Sequence, residues 1–196
     1  IRVTGDEALG PSIIVPAVTH FAQRHPDVLV EIDISAEVRD LSAGEADIAL
    51  RGGLEPAEPS LVRRKLADDR YGVYCSWSYP SPPLSRAEMH DHPIACLEST
   101  LERIEAAGFG HCVKHVVNSI SSLRALISEG NVIGGLPAII AEVHPPLRLC
   151  FPVEAQTAVW VAYPERLRHV PEIKQMSRLL AEQFRRYRDG TRTDGS

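Results

Sequence analysis

The feature that most constrains this chain is the switching of hydrophobic period along residues 1–53. "IRVT" reads as a strand. Ile13, Ala17 and Phe21 then recur at helical spacing with Ile14 and Val18 beside them, and Pro26 ends that run. Pro16 is predicted to kink or restart the helix, because it has no N–H to give. "VLVEIDI" alternates, placing Val28, Val30, Ile32 and Ile34 on one face of a second strand. A short helical turn from Val38 to Ala43 leads into a third strand, "ADIALR". The order β-α-β-α-β is that of a parallel sheet with helices packed on it.

Beyond residue 53 the rhythm changes. After the proline-punctuated loop "LEPAEPS", two extended segments, "LVRRKLA" and "YGVYCS", are separated by the turn-like "DDR". The loop "YPSPPLS" leads to the strands "PIACL" and "HCVKHVVNS", the helix "ISSLRALISEGN", the strand "VIGGL" and the helix "PAIIAEV". "LRLCF" and "TAVWVAYP" read as two late strands. The last helix opens at Pro171 and aligns Ile173, Met176, Leu180 and Tyr187, and the polar tail "RDGTRTDGS" is predicted to be disordered. The expected fold is α/β: two Rossmann-like lobes joined by two crossing strands with a cleft between them. Residues 1–72 and 164–196 form lobe I, and 73–163 form lobe II.

Composition narrows the function. A chain of 196 residues can bury a substantial core. Its formal net charge of −5 argues against holding nucleic acid by itself. The basic runs Arg63-Arg64-Lys65 and Arg185-Arg186 read as solvated faces. No stretch approaches the ~20 apolar residues of a membrane span, and no secretory leader opens the chain. Cys75, Cys96, Cys112 and Cys150 lack CxxC spacing and fit a reducing cytoplasm, with a redox pair of Cys96 and Cys112 left open. His90-Asp91-His92 and His111-Cys112-x-x-His115 lack the paired spacing of a structural zinc site, so no metal is expected. Nor is any cofactor, since there is no P-loop, GxSxG elbow, HExxH or dinucleotide fingerprint.

Four stretches, taken in order and spacing, carry a family resemblance: "IRVTGDEALG…IVPAVTHFAQRHPDVLVEI", "LSAGEADIALRGG", "SLVRRKLADDRYGVYCSWSY" and "NVIGGLPAIIAE". The chain resembles the effector-binding (regulatory) domain of LysR-type transcriptional regulators, in the CrgA-like subgroup, which share the type-2 periplasmic-binding-protein fold. The resemblance spans Ile1 to Tyr187. It implies that a helix-turn-helix DNA-binding domain, absent from this chain, precedes the region in the full-length protein.

In open parallel sheets ligands sit beyond the carboxyl ends of the strands. That rule singles out Arg51 with Gly52 and Gly53, where "ADIALR" runs out; Arg51 either meets a ligand or pairs with a neighbouring carboxylate. Thr4, Gly5, Asp6 and Glu7 close the first strand and open the first helix, as an anion site or as an acidic cap. Ser35 follows the second strand. Ser99 and Thr100 follow "PIACL". Asn118 and Ser119 stand where a strand turns into a helix, as ligand contacts or as an N-cap. Gly134, Gly135 and Leu136 form the turn before "PAIIAEV". All of these are candidate ligand-binding residues.

The resemblance implies a cytoplasmic sensor, not an enzyme, that binds a small-molecule effector between its lobes. It implies a homodimer through this domain, with the first helix (Ala17 to Arg24) and the Ile120 to Glu129 helix as interface candidates. At full length it implies a tetramer, with DNA contacted only by the missing domain and no membrane contact. The alternative is a periplasmic solute-binding protein of a transporter. An enzyme would need converging titratable groups, and only Arg51, Asp6 and Glu7 offer themselves.

Overall fold

The first strand, β1 (Arg2–Gly5), pairs in parallel on both sides, with β2 (Glu31–Ile34) and with β3 (Ile48–Gly53). The register sets Val3 opposite both Ile32 and Ile48. Val3, Ile48 and Leu50 are wholly buried, which fixes the sheet face that the sequence alternation marks. This computed structural model describes residues 1–142 and 145–193.

The chain divides into two compact units, Ile1–Asp68 with Gln156–Ser196, and Asp69–Ala155. Two long strands change unit along their length: β4 (Leu61–Cys75) and β8 (Arg148–Pro164). Where lobe boundaries were expected near residues 72 and 163, the changes fall at 68/69 and 155/156. In the first unit the hydrogen-bonded order is β2-β1-β3-β8-β4. Strand β8 lies antiparallel to β3, setting Leu50 opposite Val161 and Arg51 opposite Trp160. In the second unit β4 is followed by β7 (Ile133–Pro137), β5 (Ile94–Leu97) and β6 (Val113–Val117). There β5 runs parallel to both neighbours, and β7 antiparallel to β4.

In the first unit the helical run begins as a wide π turn, Gly10–Ile14, and tightens into α1 (Val15–Ala22). Pro11 and Pro16 lack the N–H groups that a regular ladder needs, so the change of winding falls where the sequence predicts a restart. Ile13, Ile14, Ala17 and Phe21 are fully buried. α5 (Pro171–Thr193) packs against this run through Ile173, Met176, Leu180 and Phe184. Its Gln183 and Gln175 share 2.8 Å hydrogen bonds with His20 and His25.

The second unit carries α2 (Leu101–Ala106), α3 (Ile120–Ser128) and the short α4 (Ala138–Ala141). Leu123 and Ile127 bury the inner face of α3, and Gly130 ends it at φ 89°, a conformation that costs glycine nothing. Val73, Cys75, Ile94, Cys96, Phe109 and Ile133 belong to its core cluster.

Several expectations are corrected. Residues 38–43 are not helical: 38–40 are irregular and 41–43 form a turn. Asp40 Oδ1 accepts the N–H groups of Ser42 and Ala43, a local competitor to helix, and Val38 is 76% exposed. "DDR" does not turn the chain, because Asp69 Oδ1 accepts from the Arg70 N–H (2.9 Å) and from the Ile139 N–H (3.2 Å). The late strands are one strand. β2 is a short edge strand whose Ile32 is 40% exposed. The helix α2 was not expected, and the polar tail stays helical to Thr193. Val143 of "PAIIAEV" and residues 194–196 of the tail lie outside the described residues.

Burial pushes the Asp69 carboxyl above its ordinary range, against the two backbone N–H groups that favour its charge. A carboxyl whose folded value is raised costs stability as pH climbs from its unfolded to its folded value, and that cost persists above. Asp69→Asn keeps the Oδ1 acceptor but does not titrate. Its melting temperature relative to wild type is therefore expected to rise between pH 3 and pH 8, a trend read by thermal unfolding across that range. A difference flat with pH would contradict the assignment.

Candidate functional site

In the first unit the ends of β1, β2 and β3 bring Thr4, Ser35 and Arg51 to one edge. The Asp6 carboxylate joins two pieces of backbone. One oxygen accepts the Leu9 N–H (2.9 Å) at the start of the first helix, and the other accepts the Gly52 N–H (3.0 Å) just past Arg51. The acidic-cap reading thus describes Asp6. Arg51 is half-buried and its partners are neutral: its Nη2 donates to Thr4 Oγ1 (3.4 Å) and to the Glu37 carbonyl. Among the described residues no carboxylate forms an ion pair with it. The one nearby ion-pair group binds Arg39 instead, through Asp33 (2.6 Å) and Glu37 (2.9 Å).

The electrostatics follow. Burial pushes the Arg51 guanidinium's pKa down, and the charges of Asp6 and Asp33 offset this only in part. The Arg39 hydrogen bond holds the Asp33 carboxyl below its usual range. Among the described residues three buried side-chain polar atoms have no hydrogen-bond partner: Arg51 Nε, Trp160 Nε1 and Ser35 Oγ. Ser35 is close enough to Asp33 to help hold that carboxyl down, yet not in hydrogen-bond geometry. Buried polar groups are nearly always satisfied, so such a cluster is informative. Arg51 and Trp160 line a cavity of about 350 Å³ together with Arg39, Leu41, Leu61 and Glu58. Its polar lining sets Arg39, Arg51 and Trp160 beside two carboxylates, Asp40 and Glu58, and Arg39 is already paired with Asp33 and Glu37, which leaves Arg51 and Trp160 as the donors without an acidic partner.

In the second unit Thr100, Gly134 and Gly135 line a smaller, mostly apolar cavity of about 110 Å³, with Tyr71, Arg103 and Leu123. Thr100 Oγ1 donates to the Leu97 carbonyl (2.8 Å), and the Tyr71 hydroxyl donates to the Gly135 carbonyl (2.9 Å). Ser119 is the N-cap of α3, its Oγ accepting from the Ser122 N–H at 3.4 Å. Asn118 and Ser99 are exposed, and Leu136 is fully buried in the core.

The structure thus groups Thr4, Gly5, Asp6, Ser35 and Arg51 in the first unit, with Glu7 half-buried nearby, and Thr100, Gly134 and Gly135 in the second. Sequence reasoning missed Trp160, Arg39, Tyr71 and Arg103. For Trp160 the only signal was its place in an alternating strand, and its register against Arg51 has no local mark. Cys96 lines the second cavity, and burial pushes its thiol up. All four cysteines are free, and burial beside Cys75 pushes the Cys150 thiol up to about 12.

Residues 1–185 match the family described as the LysR substrate binding domain. A curated relative, an HTH-type transcriptional regulator of Xanthomonas campestris pv. campestris (strain 8004), is 38% identical over 100 residues, covering 50% of this chain and 29% of that protein. The aligned part therefore spans under a third of that relative's length. Among solved structures, the full-length Vibrio cholerae virulence activator AphB, a member of the LTTR family, is similar with TM-score 0.70 and 17% identity, over 92% of this chain and 67% of that one. The C-terminal domain of a probable LysR family regulator from Rhodococcus sp. RHA1 gives TM-score 0.68 and 21% identity, over 92% and 97%. The AmpR effector binding domain from Citrobacter freundii gives 0.67 and 15%, over 93% and 96%. These likenesses establish the mixed α/β fold of LysR effector-binding domains.

Gly134 separates structural from ligand-binding demands. A Cβ there would lie 2.7 Å from Ile127 Cδ1 and 2.9 Å from the Ala95 carbonyl oxygen, so α3 could not keep its distance from the sheet. Gly134→Ala is expected to cost about 1–3 kcal/mol by overpacking, read as a lowered urea midpoint without any ligand. An unchanged midpoint would return Gly134 to the ligand-contact reading.

Proposed function

The chain belongs to the LysR substrate binding domain family, and from that premise we propose that it is the effector-sensing part of a cytoplasmic transcriptional regulator. Its effector is a small organic acid or another acceptor-rich molecule, bound in the first unit beside Arg51 and Trp160. One observation carries this reading: Arg51 is a half-buried cation with neutral partners only and an unsatisfied Nε. Withdrawing a charge from water is costly unless an opposite charge is supplied. An anion in the adjoining cavity supplies it, and the unpartnered Trp160 indole offers a second donor. The apolar cavity of the second unit is a further place for effector contact. Thr4 acts indirectly, orienting Arg51 through its hydroxyl.

In this reading the domain does no chemistry. Effector binding shifts the protein between arrangements of its oligomer, a homodimer through this domain and a tetramer at full length, and a coupling of about 1–3 kcal/mol changes transcription several-fold. DNA is contacted by a separate helix-turn-helix domain. Among the described residues no helix is long and apolar enough to cross a membrane.

The test is a thermal-shift screen of small organic acids, each beside its amide. An acid at about 100 times its Kd adds about 2.7 kcal/mol of stability. Acids are expected to raise the melting temperature where amides do not. Arg51→Met should abolish the response, and Trp160→Phe should weaken it about tenfold, the size of one lost hydrogen bond to a charged group. Amides that match their acids, or acids that act equally on both variants, would overturn the proposal.

A further inference from the structure

We propose that His90, His111 and Cys112 form a binding site for a borderline-soft divalent cation of the zinc class. Spacing along the sequence gives no reason to expect it, because twenty residues separate His90 from His111. The fold closes that gap. His90 lies in the 3-10 turn Arg86–Asp91, and His111 and Cys112 lie in the 3-10 turn Gly110–Cys112, which packs against it in the second unit. The two imidazole nitrogens and the sulfur lie within 4.8 Å of one another. Cys112 Sγ is 3.3 Å from His111 Nε2. Neither histidine nor the cysteine lines either of the cavities described above.

The surroundings favour ligation. Phe109 holds the His90 ring, with centroids 4.6 Å apart, and the Lys114 ammonium donates to the His111 carbonyl (3.3 Å). Cys112 is 5% exposed, whereas both histidines are exposed. The sulfur is thus fixed in the core edge, and the two exposed imidazoles lie stacked beside it with ring centroids 5.6 Å apart. Zn–N bonds of about 2.0–2.1 Å and Zn–S bonds of about 2.3 Å place tetrahedral ligands roughly 3.3–3.8 Å apart. A small closure of the present cluster reaches that spacing. One thiolate and two imidazoles select zinc, cobalt, nickel or copper over magnesium and calcium.

Three protein ligands leave the fourth position to water or to a donor from a second molecule. The Cys112 thiol now donates to the His90 carbonyl (3.3 Å). On binding, the metal–sulfur bond forms as the S–H bond breaks, and the proton leaves to solvent. The bound ion would clamp the turn that precedes β5 to the turn that precedes β6, bracing two neighbouring strands of the sensing unit.

The experiment uses the reduced 196-residue chain and Zn²⁺ alone, followed by calorimetry, with Co²⁺ as a spectroscopic substitute. One zinc per chain is expected, with a thiolate-to-cobalt charge-transfer band in the near ultraviolet. His90→Ala and His111→Ala, both at exposed positions, should each weaken zinc by at least about tenfold. Cys112→Ser should remove the charge-transfer band, while His115→Ala and Cys96→Ser leave zinc and the band unchanged. Failure to bind zinc, wild-type zinc affinity in either alanine variant, or a band lost in Cys96→Ser instead of Cys112→Ser would overturn the proposal. Circular dichroism of each variant separates lost ligands from lost fold.

Discussion

A single half-buried positive charge organises the chemistry of this domain. Arg51 leaves the core at the end of β3, where Ile48 and Leu50 are wholly buried behind it. Asp6, whose charge acts on Arg51, has both oxygens engaged by backbone, one on the helix start and one on Gly52. Asp33 is taken up by Arg39. Arg51 is left with a hydroxyl, a carbonyl and an unused Nε. A protein that needed this arginine only for stability would gain by pairing it. The arrangement makes sense as one half of a charge pair whose other half arrives with a ligand.

The rest of the first unit serves to hold that charge in place. Parallel pairing of β1 with β2 and β3 sends three strand ends to the same edge, which is why Thr4, Ser35 and Arg51 meet although they are dispersed in the chain. The antiparallel return of β8 sets Trp160 against Arg51 and adds a second unsatisfied donor. Asp6 joins the helix start to the β3 end by accepting the Leu9 and Gly52 N–H groups. The α1 face against α5 is sealed by Phe21, Phe184 and two histidine–glutamine hydrogen bonds.

Much of this was legible in the sequence where the signal is local. Alternation marked Ile48 and Leu50, the missing N–H of Pro16 marked the change of winding, and strand-to-helix turns marked Asp6 and Ser119, whereas Gly134, Gly135 and Leu136, read as a turn, lie inside β7. What escaped was long-range. The acids of "DDR" look like a turn until Asp69 meets the Ile139 N–H, seventy residues away. "LERIEA" has too few apolar positions to announce α2, which is held by Leu101 and Ile104 against the core of its unit. Trp160 belongs with Arg51 only through strand register, and His90 with His111 and Cys112 only through the packing of two short turns. Gly134 and Gly135 do line the second cavity, and what the sequence did not show is that the missing Cβ of Gly134 also lets Ile127 and the Ala95 carbonyl approach.

The central claim is that an acidic effector completes the Arg51 and Trp160 donors. The chain contains two tryptophans, and the other, Trp77, already donates its indole N–H to the Pro146 carbonyl at 3.0 Å. A ¹H–¹⁵N NMR titration of the labelled chain with a stabilising acid therefore carries its own control. The Trp160 indole and Arg51 Nε–H signals are expected to move downfield together with saturation, while the Trp77 indole stays in place. Saturable binding that leaves the Trp160 indole unmoved would contradict the claim.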